Sequence, residues 1–162
     1  MEIEKKFIIN KLPVNLDSYP HNKISQGYIS TDPVLRIRQY GERFLLTIKS
    51  SGLMERIEVE KPINEDEYKD LSLMVKGNLI EKTRYILPLE DYPELKVELD
   101  IFEGMLEGLI VAEVEFPDIE KAGSFTAPDW FSREVTDDAR YQNSSLSSMS
   151  SDEIKELLRI SV

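Results

Sequence analysis

Polar and apolar residues alternate with a period of two through most of the first two thirds of the chain. The runs are bounded by turn dipeptides such as Asp32-Pro33, Gly41-Glu42, Ser51-Gly52 and Tyr92-Pro93. Successive side chains on a strand point to opposite faces, so this alternation predicts strands near residues 2–9, 26–30, 34–39, 43–49, 56–61, 80–87, 95–102 and 109–116. That is enough strands to close a barrel. The period becomes helical at about 65–76, where Asn64 can cap, acids crowd the first turn, Tyr68, Leu71, Met74 and Val75 form one apolar stripe, and Gly77 marks the end. Near the C-terminus, Ser150 and Glu153 make a capping-box pattern ahead of Ile154, Leu157 and Leu158. Segment 103–111 fits two patterns: Met105, Leu106, Leu109 and Ile110 suit a helical face, whereas Gly104 and Gly108 bracket a hairpin turn, which is the assignment adopted. The fold class is α+β, led by antiparallel strands with flanking helices.

The polar face of these strands is charged again and again. Residues at i and i+2 share a face, and the same-face sets are Glu2, Glu4 and Lys6; Arg36 and Arg38; Glu58 and Glu60; Lys82 and Arg84; Glu98 and Asp100; Glu113 and Glu115. Lys49 continues the series. The intervening positions are apolar, among them Ile3, Leu35, Ile37, Val59, Val97, Leu99, Ala112 and Val114. One such strand would read as a half-buried sheet with a solvated polar face. Six strands that pair acids with acids and bases with bases read differently, because like charges held together repel unless something between them neutralises each group. If the apolar faces lie outward beneath helices, the charged faces line a tunnel, joined by Arg133. Carboxylates suit hard cations such as Mg²⁺ or Mn²⁺, and Arg and Lys suit phosphate oxygens. The ligand implied is a metal-bound polyphosphate.

Composition narrows the alternatives. The 162 residues are 41% hydrophobic and 31% charged, with apolar residues spread throughout, which fits a single folded domain over 1–162. There is no cysteine, and the one histidine, His21, sits in a polar stretch, so thiolate chemistry is excluded and histidine catalysis is not expected. A net charge of −11 argues against binding a nucleic acid duplex, and the charged start of the chain with no long apolar run argues for a cytoplasmic protein that does not engage the membrane. Monomer and homodimer both remain open. Trp130 and Phe131 are expected to pack in the core, while Tyr28 fits either barrel packing or the tunnel mouth.

With Glu2-x-Glu4-x-Lys6 at its start, the chain resembles the CYTH superfamily of triphosphate tunnel metalloenzymes. The matches continue through Gln26-Gly27-Tyr28, Arg36-x-Arg38, Leu46-Thr47-Ile48-Lys49, Glu58-x-Glu60, Lys82-x-Arg84, Glu98-x-Asp100, Glu113-x-Glu115, Glu134-Val135-Thr136 and Arg140-Tyr141-x-Asn143. The resemblance implies an eight-stranded antiparallel β-barrel that holds a triphosphate lengthwise. It implies Glu2, Glu4, Asp100, Glu113 and Glu115 as the metal-facing set and Lys6, Arg36, Arg38, Lys49, Lys82, Arg84 and Arg133 as the phosphate-facing set. Glu58, Glu60 and Glu98 would hold a second metal or orient the bases, and turnover would depend on Glu4, Lys6 and Glu115. One departure is Asp137, where family members often have glycine; Asp tolerates left-handed backbone better than most residues. The activity expected is hydrolysis of a tripolyphosphate or nucleoside triphosphate. The alternatives are a class IV-like adenylyl cyclase and a non-catalytic polyphosphate- or nucleotide-binding module.

Overall fold

The structure, a computed structural model, describes residues 3–50 and 57–162. Its strands are β1 (Ile3–Ile8), β2 (His21–Thr31), β3 (Val34–Tyr40), β4 (Arg43–Lys49), β5 (Glu58–Ile63), β6 (Lys76–Pro88), β7 (Lys96–Phe102) and β8 (Ile110–Phe116). All pair antiparallel in one sheet of order β1-β8-β7-β6-β2-β3-β4-β5. The hairpin assigned to 103–111 is present, as a single 3₁₀ turn over Gly104–Leu106 between β7 and β8. The sheet does not close into a ring: β1 and β5 end the order, and no ladder joins them among the described residues. β2 and β6 are longer than the alternation suggests, because they also pair where their side chains do not alternate cleanly.

Among the described residues four helices flank the sheet: α1 (Glu65–Ser72), α2 (Ile119–Ser124), α3 (Asn143–Ser148) and α4 (Ser151–Ile160). Both capping boxes form, Asn64 with Glu67 on α1 and Ser150 with Glu153 on α4. Helix α1 stops at Ser72, short of the predicted end. Of its apolar stripe Tyr68 is buried, stacked at 5.1 Å on Phe44 of β4, while Met74 lies beyond the helix and exposed. Gly77 falls inside β6 rather than after the helix. It takes φ +75°, and a Cβ there would come within 2.1 Å of the Ser147 carbonyl oxygen, so α3 can rest directly on the strand. Asp137 does not take up left-handed backbone; Asn15 is the one described non-glycine residue that does. Helices α2 and α3 were not predicted.

Two apolar clusters decide which way the strands face. On the outer face, Phe7, Leu87, Val97, Leu99, Ala112 and Val114 pack under α2 and the segment carrying Phe125, Trp130 and Phe131. Each large side chain buried there stabilises the fold by about 1.5–3 kcal/mol. Burying this face turns Glu98, Glu113 and their strand neighbours inward. The second cluster lies on the inner face itself: Ile8, Ile80, Phe102 and Val111 are sealed by Tyr141, Leu146 of α3, and Ile154 and Leu157 of α4. The inner face is therefore charged over one part of its length and apolar over the other.

Candidate functional site

The charged part of the inner face surrounds a cavity of about 610 Å³. Residues of both edge strands line it, Glu4 and Lys6 of β1 and Glu58 and Glu60 of β5, so the sheet curls far enough to bring its ends around one space. The register explains the gathering: Arg84 sits opposite Asp100, Glu98 opposite Glu113, and Glu4 opposite Glu115, each pair on one face of adjacent strands. Of the residues singled out in the sequence, Glu4, Lys6, Arg36, Arg38, Lys49, Glu58, Glu60, Arg84, Glu98, Glu113 and Glu115 line this cavity.

The bases concentrate on β3, β4 and β6. Arg38 Nε donates to Gln26 Oε1 at 3.0 Å, and Arg36 Nη2 to Thr47 Oγ1 at 3.4 Å, with Gln26 and Thr47 both fully buried. Arg36 Nε is buried without a protein acceptor, an unmet donor of the kind an anion satisfies. Burial, with Arg36 and Arg84 close by, lowers Arg38 to about 10, against the pull of Tyr28 and Glu60. Burial also works against the charge on Arg84, but its bonds to Asp100, with Glu98 and Glu113 near, hold its pKa above the ordinary value. Lys49 stands 3.9 Å from Glu58, and Lys6 Nζ lies 3.2 Å from Glu113 while donating to the Tyr141 carbonyl at 3.1 Å.

The acids concentrate on β7, β8 and β1. Burial raises the pKa of Glu98, and Glu113 and Asp100 add to this, opposed by Arg84. Glu4, Glu98, Glu113 and Glu115 supply the all-oxygen donors that Mg²⁺ or Mn²⁺ takes. Among the described residues no three acids stand close enough to hold an ion by themselves. The set fits a Mg²⁺-type ion bound through one or two carboxylates and completed by substrate oxygens.

Three described site residues, Lys82, Asp100 and Arg133, are not brought to the cavity. Glu2 lies outside the described residues. Lys82 and Asp100 face inward but are 1% and 2% exposed, bonded to each other below the cavity wall. Asp100, given above as metal-facing, has its carboxylate filled by donors: Lys82 Nζ at 2.7 Å and Arg84 Nε and Nη2 at 2.8 and 2.9 Å. Arg133 reaches away, donating to the Tyr141 hydroxyl and to the Ile160 carbonyl at the end of α4. Other residues join the cavity without having been singled out as site residues: Thr31, Gln142, Asn143 and Ser144 at its edge, with Gln26 behind Arg38. The period-two pattern already places Gln26 on the face of Tyr28; Thr31 ends β2, and the other edge residues come from α3 and the turn before it, which no periodicity announces. Tyr28 is buried and lines the cavity. Trp130 packs edge-on against Phe131 at 4.5 Å beside the outer cluster. His21 stacks on Tyr85 at 4.9 Å, away from the cavity.

The chain resembles known proteins in sequence and in fold. The chain is 40% identical over 149 residues to the inorganic triphosphatase of Nitrosomonas europaea, covering 90% of this chain and 95% of that one. It is 37% identical over 153 residues to the inorganic triphosphatase of Acetivibrio thermocellus, covering 90% and 92%. The crystal structure of the inorganic triphosphatase NE1496 superimposes with a TM-score of 0.77 at 36% identity, over 93% of this chain and 96% of the other. HpAC1 from Hippeastrum superimposes with a TM-score of 0.55 at 18% identity over 76% of this chain and 83% of its own, a likeness of fold alone. No protein-family model matches the chain.

Proposed function

The chain belongs to the inorganic triphosphatases, and from that premise we propose that its cavity holds a metal-bound tripolyphosphate lengthwise and hydrolyses the terminal phosphoanhydride bond. We read the curled sheet as an open form of the tunnel barrel of the CYTH superfamily. The observation that carries the reading is the gathering of doubled charges in one cavity: Arg36, Arg38, Lys49 and Arg84 on β3, β4 and β6, and Glu4, Glu98, Glu113 and Glu115 on β1, β7 and β8, with Lys6 on β1 and Glu58 and Glu60 on β5 at the two edges. The arginines and lysines bind and orient the phosphates and stabilise charge on the leaving phosphate. Glu4, Glu113 and Glu115 are the residues proposed to hold Mg²⁺ or Mn²⁺, with Glu58, Glu60 and Glu98 as orienting or second-site acids. When bound, the ion neutralises phosphate charge and lowers the pKa of a coordinated water. Lys6, tied to Glu113, keeps a fixed positive charge beside these acids.

Tyr28 is the one aromatic side chain among the described residues lining the cavity, so there is little surface on which an adenine would stack. That favours an inorganic chain over cyclisation of ATP. The test is a panel of tripolyphosphate, ATP and pyrophosphate, each with Mg²⁺, with Mn²⁺ and with chelator, scoring phosphate and cyclic nucleotide separately. Metal-dependent phosphate release fastest from tripolyphosphate supports the reading. Cyclic nucleotide as the main product, or full activity in chelator, overturns it.

A further inference from the structure

Arg84 is the only described residue that both lines the cavity and grips the buried pair beneath it. Lys82 and Arg84 are inward neighbours on β6, and Asp100 and Glu98 are inward neighbours on β7. Lys82 and Asp100 sit where the inner face changes from charged to apolar, next to Ile80 and Phe102 of the sealed cluster. The Lys82 ammonium also lies 5.3 Å over the Phe102 ring. Asp100 takes the whole Nε–Nη2 edge of Arg84, which leaves Nη1 to point outward, 2.5 Å from Glu98 Oε2. A guanidinium gripped along one edge has its plane fixed and its remaining donors aimed.

We propose that Lys82 and Asp100 are positioning residues for the proposed triphosphate site, Asp100 aiming Arg84 into the cavity and Lys82 cancelling the Asp100 charge so that Arg84 keeps its own for phosphate. The charge count makes the point. Arg84 meets two carboxylates, Asp100 along one edge and Glu98 at Nη1, so without Lys82 the group would be net negative and would repel an anion; Lys82 offsets Asp100 and brings the four charges to balance. Two charges in the sealed interior are costly if they only hold the fold, since an apolar pair of similar volume does that as well or better. Placing them under a cavity arginine gives the arrangement a use.

The inference rests on the reading of the cavity as a triphosphate site, and the test separates the two. Tripolyphosphate binding is measured by calorimetry, with Ca²⁺ to limit turnover, and folding by thermal melting. The variants are Lys82→Met/Asp100→Leu, Lys82→Met, Arg84→Ala, and Arg84→Ala combined with the double change. The double variant should melt within a few degrees of the wild type, because it replaces an ion pair by apolar groups, yet bind tripolyphosphate at least about tenfold more weakly. Adding Arg84→Ala to it should change binding little, because the arginine is already misdirected. Should the double variant fail to fold, Lys82→Met serves: it leaves the Arg84–Asp100 fork intact and should still weaken binding several-fold. Binding within twofold of wild type in the folded double variant, or in Lys82→Met where the double does not fold, overturns the proposal, as does an undiminished effect of Arg84→Ala in the double background. If the wild type itself does not bind tripolyphosphate, the cavity reading fails instead.

Discussion

Arg38 shows how one residue's environment becomes a measurable property. Its pKa near 10 comes from burial and from Arg36 and Arg84, so its charge is lost as pH rises through about 10, whereas an arginine in the unfolded chain keeps its proton to a higher pH. Free-protein stability therefore gains as pH rises through that window, while affinity for a polyanion falls. Calorimetry with tripolyphosphate and no metal should show binding that weakens above about pH 10, with a slope one proton shallower in Arg38→Ala. Identical slopes in the two proteins would show that Arg38 carries no phosphate. At lower pH, Arg38→Ala should cost about 10- to 100-fold in affinity, the worth of a charge-assisted hydrogen bond. Glu4→Gln and Glu115→Gln test the acids: each keeps side-chain volume, so the melting temperature should hold while turnover with Mg²⁺ falls at least about 100-fold. Wild-type turnover in both would remove these residues from the metal set.

Among the elements, the contact between β6 and α3 ties the fold to the site. Asn78 Nδ2 donates to the Leu146 and Met149 carbonyls at 3.2 and 2.8 Å, and Gly77 lets Ser147 approach the strand backbone. Gly77→Ala should destabilise by about 1–2 kcal/mol from its left-handed backbone alone, and the clash with Ser147 should push α3 and its cavity residues Asn143 and Ser144 outward. Denaturant unfolding and the KM for tripolyphosphate check this; unchanged stability would contradict the described packing. The same contact shows what the sequence can and cannot announce. Strands and their inward faces are legible because period two ties each Glu or Arg to its apolar neighbours. Depth along a strand is not: Lys82 and Arg84 look alike in the sequence, and only the helices sealing Ile80 and Phe102 make one buried and the other a lining residue. Helices α2 and α3, of six residues each, are too short to show a periodic stripe and are held by what they pack on.

For the molecule as a whole, a net charge of −11 and a polyanionic ligand are compatible only if the positive charge is local. The curled sheet provides that on one side of the cavity, where Arg36, Arg38, Lys49 and Arg84 gather, while Glu4, Glu58, Glu60, Glu98, Glu113 and Glu115 line the same space and call for a cation beside the anion. The cavity brings like charges together, so metal and polyphosphate should stabilise the fold. A ligand at a hundred times its dissociation constant adds about 2.7 kcal/mol, several degrees for a domain of this size. The extent of that effect should follow how many of the basic groups an anion reaches at once. The decisive measurement is a thermal-shift series with phosphate, pyrophosphate and tripolyphosphate, each with Ca²⁺ at matched ionic strength. A cavity that reads an extended chain predicts a shift that grows with phosphate number and is largest for tripolyphosphate. Equal shifts for all three anions, or none, would contradict it and return the paired charges to the status of an ordinary solvated sheet face.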